Sequence, residues 1–166
     1  MKNMNKLSML LLALLTLGSL ALPACSKKKV ADENAIPTAA NADENLSGDS
    51  DSGKAMGLQT VHFALDSFLF DSEAKNVLAT NAKILKDKPR VKVQIEGHCD
   101  ARGGVQYNVA LGETRANSAK KFLIESGISA DRITVISFGK EKPLAMGDTE
   151  EAYAKNRRDN LVITSK

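Results

Sequence analysis

Hydrophobic and polar residues alternate one by one along the stretch that begins at Val91. Apolar Val91, Val93 and Ile95 are separated by charged or polar residues. A period of two is the pattern of a half-buried β-strand, because successive side chains point to opposite faces. The strand is predicted to end at the stretch GHCD, residues 97–100, which places an imidazole, a thiol and a carboxylate on consecutive residues.

Helical periods flank this strand. Asp71 or Ser72 can cap a helix that runs to about residue 86, and a longer helix is predicted over 106–126, where Gly127 is a favoured stop. This alternation of strands and helices predicts one α/β domain over residues 58–166. Further strands are predicted over 59–65, 133–138 and 160–164, and a short helix over 150–156.

Residues 1–24 have the organisation of a bacterial signal peptide. A short positive head precedes an apolar run over 7–22, which is too short for a transmembrane span. The run ends in Leu-Pro-Ala-Cys, which resembles the lipobox at which Cys25 becomes an acylated first residue. Ordinary cleavage beside a chance cysteine is the alternative. Because Ser26 and not an aspartate follows, the sorting rule of enterobacterial lipoproteins predicts a lipid anchor in the outer membrane, facing the periplasm.

Residues 25–57 have the composition of a flexible linker. Alanine, aspartate, asparagine, serine and glycine dominate, and lysines are mixed with carboxylates. Such a stretch cannot bury enough apolar surface to fold alone. The covalent lipid on Cys25 is the one attached group that we expect, and no other cofactor is predicted.

Composition and spacing argue against several functions. The formal charge is +3 and aromatic residues make up 4% of the chain, which does not suit a nucleic-acid platform. A zinc site needs three or four ligands, and the second histidine, His62, comes with no spaced cysteine. His98 and Cys99 are neighbours at a strand end, so their side chains should point to opposite faces and not form a catalytic pair.

The helix predicted over 106–126 carries two polar residues on its apolar face. At about 100° per residue, Arg115 and Asn108 fall within the arc that should face the sheet. An arginine removed from water without a partner is costly, so Arg115 must be paired or must reach a wet cavity. The apolar members of this arc are Leu111, Ala116, Ala119, Phe122 and Leu123.

Asp100, at the end of the preceding strand, is the nearest obvious acidic candidate for Arg115. One interpretation is a private salt bridge that only ties the helix to the loop. The other is a shared pocket in which the carboxylate binds an amine and the planar guanidinium binds a carboxylate. Spacing alone leaves both interpretations open.

Several motifs in order resemble the OmpA-like peptidoglycan-binding domain. The match covers about residues 58–166, and the lipobox and linker are similar to those of lipoprotein members of this family. The motifs are VHFALDSF (61–68), Asp100, Tyr107-Asn108, ALGETRANSAKKFL (110–123) and AKNRRDNLVI (154–163).

The resemblance implies an α/β (α+β) two-layer sandwich of βαβαβ(α)β order with a four-stranded mixed sheet. It implies non-covalent binding of the peptidoglycan stem peptide, and no catalysis. In the family, the residues matching Asp100 and Arg115 hold the zwitterionic end of diaminopimelate. Arg157 matches a support of the site or of the fold. The whole implied set is Asp66, Phe68, Asp100, Asn108, Leu111, Arg115 and Arg157.

Some of these residues have simpler interpretations. Without the resemblance, Arg157 and Arg158 would be a solvated strand end, and Asp66 a turn residue. Two positions depart from the family pattern, which usually has threonine at Cys99 and an aromatic residue at Leu65. The first change loses a strong hydroxyl donor, and the second a stacking face.

The resemblance also implies partners. Family members bind the periplasmic protein TolB, which links them to envelope integrity and to constriction during division. The alternative is an OmpA-like lipoprotein whose main role is to bind a periplasmic protein independently of Tol. A third hypothesis, an enzyme that uses Cys99, predicts an activity that Cys99→Ser removes.

Overall fold

The computed structural model describes residues 48–166, which build a four-stranded mixed sheet and three α-helices. The predicted signal peptide, Cys25 and most of the predicted linker lie outside the described residues. Within residues 48–166, no helix has the length and apolar character needed to cross a membrane. The elements are β1 (Val61–His62), α1 (Ser72–Asp87), β2 (Lys92–His98), α2 (Val105–Glu125), β3 (Ile133–Gly139), α3 (Glu150–Asn156) and β4 (Arg158–Ser165).

The sheet has the order β1-β4-β2-β3. Strands β2 and β3 are parallel, whereas β4 is antiparallel to both β1 and β2. Helix α2 packs on β2, β3 and β4, and α1 packs on β1 and α2. Every second residue of the central strands enters the core between sheet and helices, as the period of two predicted. The expected two-layer α/β architecture is confirmed.

The helix ends follow the capping residues in the sequence. The Asp71 carboxylate accepts a hydrogen bond from the backbone N–H of Ala74 at 2.8 Å, so Asp71 is the N-cap of α1. After α2, Gly127 adopts a φ of 96°, and the N–H of Ile128 turns back to the carbonyl of Leu123 at 3.0 Å. This left-handed step ends the helix at the predicted glycine. Helix α3 has the predicted bounds, and β4 begins two residues before the predicted 160.

A pair of glycines sets the distance between α2 and the sheet. A Cβ atom added to Gly97 of β2 would lie 2.0 Å from the carbonyl oxygen of Gly112 in α2. The helix backbone therefore rests directly on the strand backbone. This close approach brings Arg115, one turn further along α2, over the end of β2.

Strand β1 is shorter than the predicted 59–65. Gln59 does not join the ladder, because its N–H and carbonyl are both bonded by the side-chain amide of Asn81 at 2.8 Å. The carbonyl of Ala64 accepts from Arg115, and Asp66 has a left-handed φ of 52° that turns the chain. Side chains from the helices take up the backbone groups that a longer strand would have paired.

Residues 48–57, which composition assigned to the flexible linker, pack against the domain; we call them the docked segment. Its backbone continues the sheet edge beside β1: the N–H of Ser50 donates to the carbonyl of Leu161, and the N–H of Ile163 donates to that of Gly48. Ala55 is fully buried. The linker boundary at residue 57 is therefore corrected, since ordered chain extends back at least to residue 48.

Side chains hold the docked segment as well. Asp51 accepts from Arg158 at 2.7 Å, and both side chains are at most 10% exposed. The hydroxyl of Ser50 donates to the side-chain oxygen of Asn160 at 2.9 Å. Arg158 is thus a buried ion-pair partner, and its interpretation as a solvated strand end is wrong.

Candidate functional site

A cleft of about 300 Å³ opens where β2 ends and α2 begins. The loop after β1 forms one wall, the GHCD stretch and the loop after it form a second, and the first turns of α2 form a third. Of the seven residues implied by the family resemblance, all but Phe68 line this cleft. These six are Asp66, Asp100, Asn108, Leu111, Arg115 and Arg157.

Arg115 forms the floor of the cleft and is fully buried. Its Nε donates to the carbonyl of Ser67 at 2.8 Å, and its two terminal nitrogens donate to the carbonyls of His98 at 3.1 Å and Ala64 at 3.2 Å. Its guanidinium also lies 4.8 Å from the ring centre of Phe63. These partners are uncharged, so they orient the guanidinium without cancelling its charge.

Asp100 does not pair with Arg115. The interpretation of these two residues as a salt bridge that only ties the helix to the loop is therefore wrong. Its carboxylate instead accepts from Arg102 at 2.6 Å and from Arg157 at 3.2 Å. Burial by itself would raise the pKa of Asp100, but the hydrogen bonds from Arg102 and Arg157 outweigh burial and lower that pKa. The carboxylate is therefore ionised at neutral pH. Asp100 and Arg115 share a cleft without neutralising each other.

Arg157 connects the cleft to the rest of the fold. It is 7% exposed, which contradicts the interpretation as a solvated strand end. Its Nε donates to the carbonyl of Phe63 at 3.1 Å, and its terminal nitrogens reach Asp100 at 3.2 Å and Glu150 at 2.8 Å. One side chain thus joins the segments that follow β1 and β2 to helix α3, which agrees with a supporting role.

Asn108 closes the loop between β2 and α2. Its amide nitrogen donates to the carbonyls of Arg102 at 2.7 Å and Gly104 at 3.1 Å. Asn108 is 3% exposed, as its position on the inner arc of the helix predicted. The loop that carries Asp100 and Arg102 is therefore tied to the first turn of α2.

The loop after β1 supplies the rim of the cleft. Asp66 lines the cleft, accepts a hydrogen bond from the hydroxyl of Tyr107, and is held at positive φ. Asp66 is thus both a turn residue and a cleft residue. Phe68 is 45% exposed and lies outside the lining, although the family resemblance implied a place inside the cleft. The chain turns at Asp66 so that the carbonyl of Ser67, and not the ring of Phe68, faces Arg115.

The thiol of Cys99 is buried in the wall of the cleft. Sγ donates to the carbonyl of Asn108 at 3.3 Å and accepts from Arg115 at 3.5 Å. Burial raises the pKa of this thiol, and the charge of Arg115 only partly opposes that rise. A nucleophilic cysteine needs the opposite shift, so the geometry does not suit thiol chemistry. The His98 ring stacks on Phe138 with ring centres 5.6 Å apart, away from the thiol.

A second carboxylate lies beneath Arg115. Asp159 of β4 pairs in register with Gly97 and faces α2, like Leu161 and Ile163 further along the strand. It is fully buried, and neither carboxylate oxygen has a hydrogen-bond partner among residues 48–166. Burial raises the pKa of Asp159 well above its ordinary value, and Arg115 opposes this only in part. Within the described residues, no three histidines, cysteines or acidic residues cluster to hold a cation.

The sequence reasoning missed Arg102, Tyr107 and Asp159 as parts of this region. Arg102 follows Asp100 by two residues, a spacing at which a side chain can fold back onto a strand-end carboxylate. Asp159 alternates with Leu161 and Ile163, so the period of two already placed it on the buried face. The signal for Tyr107 was weaker, because Tyr107 is 56% exposed and lies outside the apolar arc of α2.

Comparison with known proteins shows the family to which this chain belongs. Residues 62–157 match the OmpA family. The peptidoglycan-associated lipoprotein of Pasteurella multocida (strain Pm70) is 37% identical over 146 residues, which cover 87% of this chain and 92% of that protein. The protein of the same name from Pseudomonas aeruginosa is 39% identical over 112 residues, which cover 68% of this chain and 66% of that protein.

Solved structures agree with these sequence matches. The crystal structure of the peptidoglycan-associated lipoprotein from Burkholderia pseudomallei matches with a TM-score of 0.60 and 36% identity, covering 63% of this chain and 88% of that one. The C-terminal domain of Helicobacter pylori MotB matches with a TM-score of 0.62 at 23% identity, covering 66% and 87%. That second likeness concerns the fold alone.

Proposed function

From the premise that this chain belongs to the OmpA family, we propose that it binds peptidoglycan non-covalently through the diaminopimelate-containing stem peptide. The OmpA domain is a binding domain and not an enzyme. The cleft at the end of β2 is the proposed site. One observation carries the proposal: a buried, uncancelled guanidinium and an ionised carboxylate line the same opening.

Arg115 has the donor geometry for the carboxylate of a ligand. A guanidinium has five N–H donors, and four hydrogen bonds to residues of the described part are formed. One N–H of the terminal nitrogen that contacts Ala64 is left for the cleft. Since its partners are neutral, the positive charge of Arg115 remains available to an anionic group.

Asp100 supplies the opposite charge. The free end of diaminopimelate carries an ammonium and a carboxylate on one carbon, so it needs an acceptor and a donor close together. Asp100 and Arg115 line one cleft of about 300 Å³. Leu111 lies between polar groups and can contact the methylene chain of the ligand.

Cosedimentation with purified sacculi tests the proposal. The full-length protein in detergent is expected to pellet with sacculi. Asp100→Asn should lose this binding, because the uncharged amide cannot form an ion pair with an ammonium. Asp87→Asn is the matched control, since Asp87 is an exposed carboxylate at the end of α1, before the start of β2, whereas the cleft lies at the end of that strand. Asp100→Asn binding as well as the control, with an unchanged circular dichroism spectrum, would sink the proposed site.

The same proposal includes a place in the cell. Lipid on Cys25 would anchor the chain to the outer membrane, with the domain on the periplasmic side. The protein would then act as the Pal component of a Tol–Pal system in envelope integrity and cell division. Labelling cells with radioactive palmitate tests the anchor: the wild-type protein should take up label, and Cys25→Ala should not.

A second candidate function is the binding of a TolB-like periplasmic protein. The observation that favours it is an exposed apolar rim beside the cleft, formed by Leu65, Phe68 and Leu69, which are 57%, 45% and 70% exposed. Such rims are typical of protein-interaction surfaces. If partner and wall use adjoining surfaces, stem-peptide fragment should reduce capture of TolB in a pull-down. If the double variant Phe68→Ser and Leu69→Ser still captures TolB, the rim is not the surface that binds this partner.

A further inference from the structure

The carboxylate of Asp100 has no acceptor position left for a ligand. A carboxylate offers about four lone-pair positions on two oxygens. Oδ1 accepts from the backbone N–H of Arg102 at 3.1 Å and from its Nε at 3.2 Å. Oδ2 accepts from a terminal nitrogen of Arg102 at 2.6 Å and from Arg157 at 3.2 Å. An ammonium group can therefore reach Asp100 only if one of these donors leaves.

Arg102 is the donor that can leave. The Arg157 side chain is 8% exposed and is also held by the carbonyl of Phe63. The Arg102 side chain is 38% exposed, and every other side-chain contact that holds it lies on α3. Because the Arg102 side chain is more than a third exposed, water can take up the donors that it releases from Asp100.

A second position for the Arg102 guanidinium already exists beside the first. One of its terminal nitrogens lies 3.4 Å from a carboxylate oxygen of Glu150, and its central carbon lies 4.2 Å from the ring centre of Tyr153. Glu150 and Tyr153 are one turn apart on α3. A small rotation of the side chain would exchange Asp100 for a full ion pair with Glu150 while keeping the contact with the aromatic face.

We infer that Arg102 is a gate on Asp100: it neutralises this carboxylate in the free protein, and a ligand ammonium displaces it onto Glu150 and Tyr153. The inference rests on the proposed function and adds a specificity-determining residue to it. The exchange replaces one cation on Asp100 by another. A ligand that lacks the cation leaves Arg102 in place, so the gate discriminates by charge.

Isothermal titration calorimetry of the full-length protein in detergent tests the gate, through the affinities of two probes. The first probe is the tripeptide L-Ala-γ-D-Glu-meso-diaminopimelate, and the second is the same tripeptide with 2-aminopimelate, which lacks the distal ammonium and keeps the carboxylate. Arg102→Gln removes the competing cation. It should bind the first probe up to about fivefold more tightly than the wild type does, and the second probe with unchanged affinity.

A substitution at Glu150 should change the affinity in the opposite direction. Glu150→Gln keeps a hydrogen-bond acceptor for Arg157 but no longer receives Arg102 as an ion pair, so the first probe should bind more weakly. In the double variant, which lacks Arg102 as well, the Glu150→Gln change should have no further effect. Glu151→Gln is the matched control, because Glu151 is the adjacent exposed acid of the same helical turn and makes no salt bridge within residues 48–166.

The outcomes separate the gate from the proposed function. Weaker or unchanged binding of the first probe by Arg102→Gln, with wild-type binding intact, overturns the gate alone. Equal effects of Glu150→Gln with and without Arg102 also overturn it. No binding of either probe by the wild type and by Arg102→Gln overturns both proposals, whereas binding gained only on Arg102→Gln supports the gate.

Discussion

Arg115 lies between two carboxylates with opposite surroundings. On the open side, Asp100 accepts four hydrogen bonds, and its pKa is lowered. On the closed side, Asp159 has no hydrogen-bond partner among the described residues, and its pKa is raised. Hydrogen-bond donors and burial thus set the direction of each pKa shift more than the cation that lies between the two carboxylates.

The difference has a consequence for the cleft. Burial raises the pKa of Asp159 and so disfavours its charged form beneath Arg115, while the ionised Asp100 is compensated by other arginines. The positive charge at the floor of the cleft is therefore available to whatever enters from above. An anionic ligand group is the partner that this arrangement favours.

Removing Arg115, which lies between the two carboxylates, should have the largest effect on the stability of the fold. In Arg115→Met, the carbonyls of Ala64, Ser67 and His98 lose their donor, and each buried unsatisfied group costs about 1–3 kcal/mol. We expect the free energy of unfolding to fall by at least about 3 kcal/mol in urea denaturation. The control is Arg90→Met, an exposed arginine, which should change stability little. A small loss in Arg115→Met would show that these carbonyls find water.

The contribution of Asp159, on the closed side, to the free energy of unfolding should fall as pH rises. Asp159 binds a proton more tightly in the folded than in the unfolded chain, so its contribution to stability is full below the unfolded pKa near 3.8. That contribution is lost as pH rises through the folded pKa. Asparagine cannot ionise. As pH rises from the unfolded to the folded pKa, the free energy of unfolding of Asp159→Asn should therefore increase relative to that of the wild type, by about 1.4 kcal/mol for each unit between the two pKa values. A stability difference that is constant from pH 4 to pH 8 would contradict the raised pKa.

The open side should respond to falling pH. The folded pKa of Asp100 lies below the unfolded value, so its contribution is present above the unfolded pKa and is lost as pH falls through the folded pKa. At pH 7, Asp100→Asn should lose about 1.5–3 kcal/mol of unfolding free energy, the typical value for hydrogen bonds to a charged group. The loss should vanish in strong acid. The Asp87→Asn control should follow the wild type throughout.

The smallest effect is expected at the thiol that contacts Arg115. Cys99→Thr places a hydroxyl, a stronger donor, near the carbonyl of Asn108, and should raise the free energy of unfolding by at most about 1 kcal/mol. Cys99→Val has a similar shape but no donor, and should lower it. If both variants shift the urea midpoint equally, packing and not the hydrogen bond determines the contribution of Cys99.

Local patterns in the sequence predicted the elements and the buried polar residues well. Asp71 at the start of α1 and Gly127 after α2 act through their nearest neighbours, so capping rules suffice to find them. Arg115 and Asn108 were found because a helical wheel depends only on spacing along one element. The predicted cleft followed from these positions together with the family resemblance.

Long-range pairing accounts for what the sequence did not reveal. The docked segment has the composition of a linker, and its partners lie on β4, more than 100 residues away along the chain. Likewise, spacing offered Arg115 as the partner of Asp100, whereas Arg157 and Arg102 bind it in the structure. Which of several nearby cations a carboxylate takes depends on the packing of the loops, which local periodicity does not contain.

The docked segment also sets the direction in which the domain can be pulled. Its chain runs antiparallel to β4, from Gly48 beside Ile163 towards Asp51, whose carboxylate contacts Arg158. The described chain therefore begins at one end of β4, and the cleft lies at the other. With the anchor at Cys25 and the wall bound in the cleft, both as proposed, a load between them would run along this eight-residue strand, about 25 Å. Hydrogen bonds across an antiparallel pair lie perpendicular to that line. They would be sheared together and not opened one at a time, which is the stronger arrangement for a mechanical link.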